Sequence, residues 1–321
     1  AIPYDATLGS FQVDDVYQIS GTVQYWASGE SIVGAEMELD GDLYHLASTD
    51  GAGDYAVTGI AAGDYVLTPA KSDDIDGIGS LDASLVQRHV VGSLTLTGEA
   101  WQAADVNKSG SVNSMDAFYI LQFAAGLIAP PFTGAGVVWD FLPATRVYTG
   151  LASDQAGQDF YAILLGDVTG NWTMAEAGGM SAPPDVEGQA ASAELVIADT
   201  PTVPDQQITV PVHLNLTEAD LYGIDLTLSY DPTVLTAVRV DKAELTTNWT
   251  KVDNLLTPGS IRVALAGAQP ITESGELVTL AFDTVGDIGE STEVVFVRAE
   301  LNEEAIPTTT DPGQIAIYAP A

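Results

Sequence analysis

The sequence predicts a multidomain, mainly β chain with a small β-sandwich first, an α-helical module in the middle and a second, larger β-sandwich last. Three observations point there. Residues 16–70 alternate apolar and polar positions between turn signals, the period-2 pattern of half-buried strands. Residues 82–94 and 116–128 repeat one another with helical spacing of their apolar positions, and such internal similarity outweighs a single motif match. From Ala193 to about Ala319 strand-like runs return.

Composition bounds the function. The 321 residues suffice for two or three domains, and 46% hydrophobic content allows sizeable cores. Nine basic residues against 45 acidic ones leave a formal net charge of −36. That surface argues against nucleic acid and against anionic membrane, which both need basic patches. No apolar run approaches the roughly 20 residues of a membrane span. There are no cysteines, so stability rests on burial and metal, and their absence does not assign the chain to the cytosol. The chain starts at Ala1, and the expectation is an extracellular or cell-surface protein whose signal peptide has been removed. Asn-x-Ser/Thr sequons stand at Asn107, Asn171, Asn215 and Asn248.

The tail, residues 1–15, alternates Ile2, Tyr4, Ala6 and Leu8 with Pro3, Asp5, Thr7 and Gly9. This is a short strand pattern that needs a sheet edge in its own domain or in a neighbouring subunit. Residues 16–70 hold strand patterns at Val16–Tyr25, Ala35–Asp40 and, around tight turns, Thr49–Pro69, which together predict a small sandwich. The Thr49-Asp50-x-x-Gly53-x-Tyr55 and Gly63-x-Tyr65-x-x-x-Pro69 pattern resembles the carboxypeptidase-regulatory-like, prealbumin-type fold. That resemblance implies a spacer domain. Some relatives carry Lys–Asn isopeptide bonds, and none is expected here because the first domain's nearest lysine is Lys71, at its edge.

Residues 71–172 are read as one module carrying two metal loops. Asp105 to Asp116 is a twelve-residue loop of hard oxygen donors, the arrangement that suits calcium. Asp105, Asn107, Ser109, the Ser111 carbonyl and Asp116 are its ligands, and Gly110 supplies the sharp turn. Asp82 aligns with Asp116, 34 positions later. The loop before Asp82 is less regular. Asp76 and Asp82 are assigned to its shell, with Asp73 or Asp74 as the first ligand, against the alternative of an acidic turn at a helix N-terminus. Gly166-Asp167-Val168 echoes the start of the second loop. Asp167 either lends a ligand to the module or belongs to a turn beside a packed Trp172. Two calcium ions are expected.

An Asp-terminated calcium loop followed by the apolar helix Asp116-Ala-Phe-Tyr-Ile-Leu-Gln-Phe-Ala-Ala-Gly126, in duplicate, resembles a dockerin. Helical faces around Leu85, Val86, Tyr119, Ile120 and Phe123 are expected to pack partly on each other and partly on a receptor. Residues 173–193 are rich in Ala, Gly, Pro and Ser, a linker composition. Within 194–321, the strand ending in Tyr230-Asp231-Pro232-x-Val234-Leu235 and the later Gly275-Glu-Leu-Val-Thr-Leu-x-Phe282 resemble a cohesin, which implies a jelly-roll β-sandwich. Cohesins are the receptors of dockerins, so the resemblance implies plug and socket on one chain.

The expected function is therefore non-catalytic: a calcium-stabilised extracellular subunit that associates with copies of itself into a filament or scaffold. The alternatives are an adaptor for other cohesin- or dockerin-bearing proteins, glycoside hydrolases among them, and a carbohydrate-binding surface protein using Trp26, Trp249 or Tyr222. His45, His89 and His213 fall in separate modules without a nucleophile motif, so no enzyme is expected.

Overall fold

A computed structural model describes residues 15–174 and 191–320. The strand expectation for the first residues, and most of the linker, lie outside the described residues. The chain forms two compact units, Ala1–Ser72 with Trp139–Ala162, and Asp73–Val138 with Ile163–Ala321.

The first unit contains β1 (Tyr17–Tyr25), β2 (Glu36–Gly41), β3 (His45–Ser48), β4 (Asp54–Ile60) and β5 (Gly63–Ala70), then β6 (Trp139–Leu142), β7 (Arg146–Leu151) and most of β8 (Phe160–Leu164). One sheet runs β4-β1-β8-β6 and the other β3-β2-β5-β7. Alternation sends Ile19, Val23, Met37, Leu39, Val57 and Leu67 inward, all buried. The sequence reading bounded a first sandwich at 16–70 and the next module at 71–172. Three strands come from residues that the sequence reading assigned to the helical module. The reason is pairing: β8 joins β1 in parallel, Val23 opposite Phe160, and β7 joins β5, Val66 opposite Val147. Without them β1 and β5 would present open edges. Lys71 donates from Nζ to the Val33 carbonyl at 3.1 Å.

The second unit holds three helices, α1 (Ser80–Val90), α2 (Gly98–Ala104) and α3 (Ser114–Ala124). Its strands are β9 (Ser192–Ile197), β10 (Thr200–Thr202), β11 (Gln207–Thr217), β12 (Leu221–Ser229), β13 (Leu235–Lys242), β14 (Thr250–Asn254), β15 (Ser260–Ile271), β16 (Gly275–Thr284), β17 (Ser291–Leu301), β18 (Thr308–Asp311) and β19 (Gly313–Ile317). They form two sheets, β10-β19-β17-β12-β15-β14 and β13-β16-β11-β9-β18. Leu195, Val212, Leu226, Leu228, Leu280 and Phe282 fill the space between them. The Tyr230-Asp231-Pro232 corner is built by side chains. Asp231 accepts from Thr233 N–H, and the Tyr230 hydroxyl accepts from Ala237 N–H while its ring packs edge-on to Phe282. Helix α1 packs on α3 and lies against β12 and β15, and α3 also meets β14 and β15.

Candidate metal loops and docking face

Both long helices begin two residues before their aspartate, so Asp82 and Asp116 each occupy the third helical position. There the carboxylate accepts from the N-cap N–H, Gly79 to Asp82 Oδ2 at 2.8 Å and Asn113 to Asp116 Oδ2 at 2.9 Å. Both aspartates are fully buried.

The second loop fits a hard cation. Asp105 accepts from the N–H groups of Ser109 and Gly110, and Asn107 Oδ1 from Ser109 N–H. Ser109 Oγ lies 3.2 Å from the Ser111 carbonyl. Gly110 has φ +83°, a conformation that favours glycine. Asp116 Oδ1 is buried and has no hydrogen-bond partner. Burial and the Asp105 charge push the Asp116 carboxyl up, against hydrogen bonds that pull it down. An anionic oxygen sealed in this way among oxygen donors is what a calcium ion satisfies. The sequence-assigned set of Asp105, Asn107, Ser109, Ser111 and Asp116 is thus brought together.

The first loop is assembled differently. Asp82 Oδ1 accepts from Val168 and Thr169 N–H at 2.8 Å each. Asp167 is fully buried and accepts from the N–H groups of Gly170, Asn171 and Trp172. The segment 167–172 therefore stands where the second loop has 105–110. Trp172 is buried and donates from Nε1 to the Asp74 carbonyl, the packed tryptophan of the turn reading. Asp73, Asp74 and Asp76 are exposed, and the acidic neighbours that raise Asp82 are Glu303 and Asp167. Among the described residues no three acidic or imidazole side chains converge closely enough to hold a metal by themselves. Both loops draw on amide, hydroxyl and carbonyl oxygens as well.

Helix α1 lies on β12. Ser80 N–H donates to Asp225 Oδ2 at 2.9 Å, and Ser84 Oγ donates to the Gly267 carbonyl at 3.1 Å. The Arg88 guanidinium lies 4.5 Å from the centre of the Tyr222 ring. At the far end Asn254 donates from Nδ2 to the carbonyls of Ala125 and Gly126. Gly223 is where the backbones meet: a Cβ there would stand 2.5 Å from Leu81 N. From the turn after β17, Glu303 Oε2 accepts from Thr169 Oγ1 at 3.1 Å and Asn171 Nδ2 at 2.7 Å. Burial raises Asp225 to about 6 and Glu303 to about 7.

A dockerin type I domain model matches residues 74–122, and a cohesin domain model matches residues 193–317. The chain carries a dockerin and a cohesin. Among solved structures it is similar to the non-cellulosomal cohesin from the hyperthermophilic archaeon Archaeoglobus fulgidus, at 21% identity over 40% of this chain and 93% of that one, with a TM-score of 0.36. It is similar to CaCohA2 from Clostridium acetobutylicum at 20% identity, covering 42% and 98%, with a TM-score of 0.38. It is also similar to the seventh ScaB type I cohesin from Pseudobacteroides cellulosolvens at 17% identity, covering 40% and 94%, with a TM-score of 0.36. No curated protein matches the chain. Type I dockerins bind calcium, and the two modules mark a non-catalytic scaffold or adaptor.

Sequence reasoning missed Asp225, Glu303 and Gly223. Nothing in their local pattern separates them from other strand and turn residues of an acidic sandwich. The structure places the three aromatics named for sugar stacking in different surroundings. Trp249 is buried and donates from Nε1 to the Gln269 carbonyl, Tyr222 lies under Arg88, and Trp26 is half-buried beside Tyr25. His89 accepts from Leu96 N–H at the end of α1, a local structural role.

Proposed function

We propose that this chain is a self-complementary, calcium-stabilised structural subunit whose dockerin fits a cohesin of its own sequence. The observation that carries this is the seating of α1 on β12, with Ser80, Ser84 and Arg88 all partnered by cohesin groups. Calcium at the loop of Asp105, Asn107, Ser109, Ser111 and Asp116 orders α3, and a second ion at Asp82 and Asp167 orders α1. Residues 73–76 contribute exposed carboxylates that raise the local negative potential.

Plug and socket are different surfaces, so docking between copies is heterologous and propagates into rings or filaments. Docking within one chain closes a monomer instead. A tether of 21 residues, 173–193, gives a millimolar effective concentration when flexible and favours closure. Polymers therefore grow where protein is concentrated, by exchange of the same contact. Surfaces this acidic suit an extracellular, calcium-rich setting, where cations screen self-repulsion. Sedimentation of the whole chain over a concentration series, in calcium and in chelator, tests the reading. Concentration-dependent assembly in calcium that chelator reverses supports it. A monomer throughout, together with a Ser80 amide that exchanges as freely in calcium as in a denatured chain, refutes it.

A further inference from the structure

The two repeats differ at one position in a way that the cohesin exploits. Asn113 and Gly79 are the N-caps of α3 and α1, with nearly the same backbone, φ −148° and −143°. Asn113 fills its own cap, accepting from Met115 N–H. Gly79 has no side chain, and the space is taken by the cohesin. A Cβ on Gly79 would stand 2.9 Å from Glu303 Oε1 and 3.3 Å from Asp225 Oδ2. Asp225 is 3% exposed with Oδ1 unpartnered, and Glu303 Oε1 is likewise sealed without a partner. Arg298 faces Asp225, whereas the Glu303 carboxyl meets the Asp82 carboxyl with Asp167 beside them; buried acids crowded in this way are costly unless a proton or a cation joins them. Glu303 is held there by a turn in which Asn302, Glu303 and Glu304 all have positive φ, 50°, 56° and 66°, a conformation that costs energy at each non-glycine residue.

The rest of the first loop points at the same gap. Lys71, the residue in register with Asp105, offers no anionic oxygen. Asp167 replaces it, and Val168 and Thr169 bond Asp82. Asn171 gives its Nδ2 to Glu303, leaving Oδ1 beside the turn glycine: a Cβ on Gly77 (φ +87°) would stand 2.7 Å from it. Gly77, Gly79, Asn171 and Glu303 line one recess.

Resting on the reading of the dockerin as a calcium module, we propose that its first calcium site is completed by the cohesin. Glu303 enters through the gap at Gly79 and ligates a calcium ion held by Asp82, Asp167 and Asn171, so that metal binding and docking are one equilibrium. Linkage is then reciprocal: the ion tightens docking by the factor that docking tightens the ion. The second loop, capped by its own Asn113, binds calcium independently of docking.

Native mass spectrometry and calorimetric calcium titration of the full chain, as wild type, Glu303→Gln, Asp167→Asn and Asp116→Asn, test this. Two ions are expected for wild type. Glu303→Gln should weaken one ion by about 10–100-fold and leave the other unchanged, and calcium should no longer slow exchange of the Ser80 amide. Asp167→Asn should lose the same ion, and Asp116→Asn the other. Unfolding curves in chelator, where no variant holds metal, separate these effects from misfolding. Wild-type titration by Glu303→Gln overturns the proposal, as does a single wild-type ion that only Asp116→Asn removes, although calcium-stabilised docking survives that result. A wild type that binds no calcium overturns both.

Discussion

Replacing Gly223 by alanine is expected to undock α1 while leaving the cohesin folded. Gly223 lies on β12 without a left-handed backbone, so alanine is conformationally acceptable there. The added Cβ would stand 2.5 Å from Leu81 N, 2.8 Å from Leu81 Cα and 2.8 Å from Ser80 C. These are backbone atoms at the start of a helix and cannot rotate away. Ordinary carbon contacts need about 3.5–4.0 Å, so α1 must retreat by roughly 1 Å. That retreat stretches the 2.9 Å bond from Ser80 N–H to the buried Asp225 beyond hydrogen-bond range. Overpacking costs ~1–3 kcal/mol, and stripping a donor from a buried acceptor another ~1–3 kcal/mol. A total of ~2–6 kcal/mol weakens docking by about 30-fold to 10⁴-fold. Amide exchange at Ser80 in the full chain reads it directly, because that N–H is bonded only when docked. Exchange within threefold of wild type, with the cohesin melting normally, would refute this face as the docking face.

Acidification in chelator should tighten docking. Asp225 is raised from 3.8 to about 6 by burial, with Ser80 and Arg298 pulling the other way. The docked form therefore holds more protons than the free form between about pH 4 and 6. Docking strengthens as pH falls through 6 and weakens as pH rises through it, by at most ~3 kcal/mol at ~1.4 kcal/mol per pH unit, and a pH series of Ser80 exchange that is flat or reversed contradicts this. Asp105→Ala should abolish calcium binding at the second loop and reduce, without removing, the calcium-induced rise in melting temperature of the dockerin, seen by calorimetry. Arg88→Ala should cost docking ~0.5–2 kcal/mol through the lost Tyr222 contact, measurable by the same exchange assay. Leu280→Ala, in the cohesin core, should destabilise that sandwich by ~2–5 kcal/mol in chemical denaturation without changing calcium stoichiometry.

The legible parts of this protein are those in which neighbours in sequence do the work together. The second loop is contiguous, so the oxygen spacing from Asp105 to Asp116 could be read directly, as could the helix that follows and its duplicate at Asp82. The alternation of β11, β12 and β16 announced a sandwich because each strand carries its own period. The surroundings of Asp82 resisted reading because the amides that bond it, Val168 and Thr169, follow Asp167, 85 positions later. The echo of Asp105-Val106 in Asp167-Val168 was the one local trace.

By itself the sequence determined the modules, the acidity and the absence of disulfides, since composition and short-range spacing are enough for these. Only the tertiary structure decided which strands complete the first sandwich, because β7 and β8 pair with strands far away in sequence. It alone showed that Gly79 is a gap and not merely a poor cap, because a missing side chain acquires meaning only from what occupies its place. Carboxylates are abundant throughout this chain, and folding is what singles out Asp225 and Glu303 by burying them where solvent cannot satisfy them.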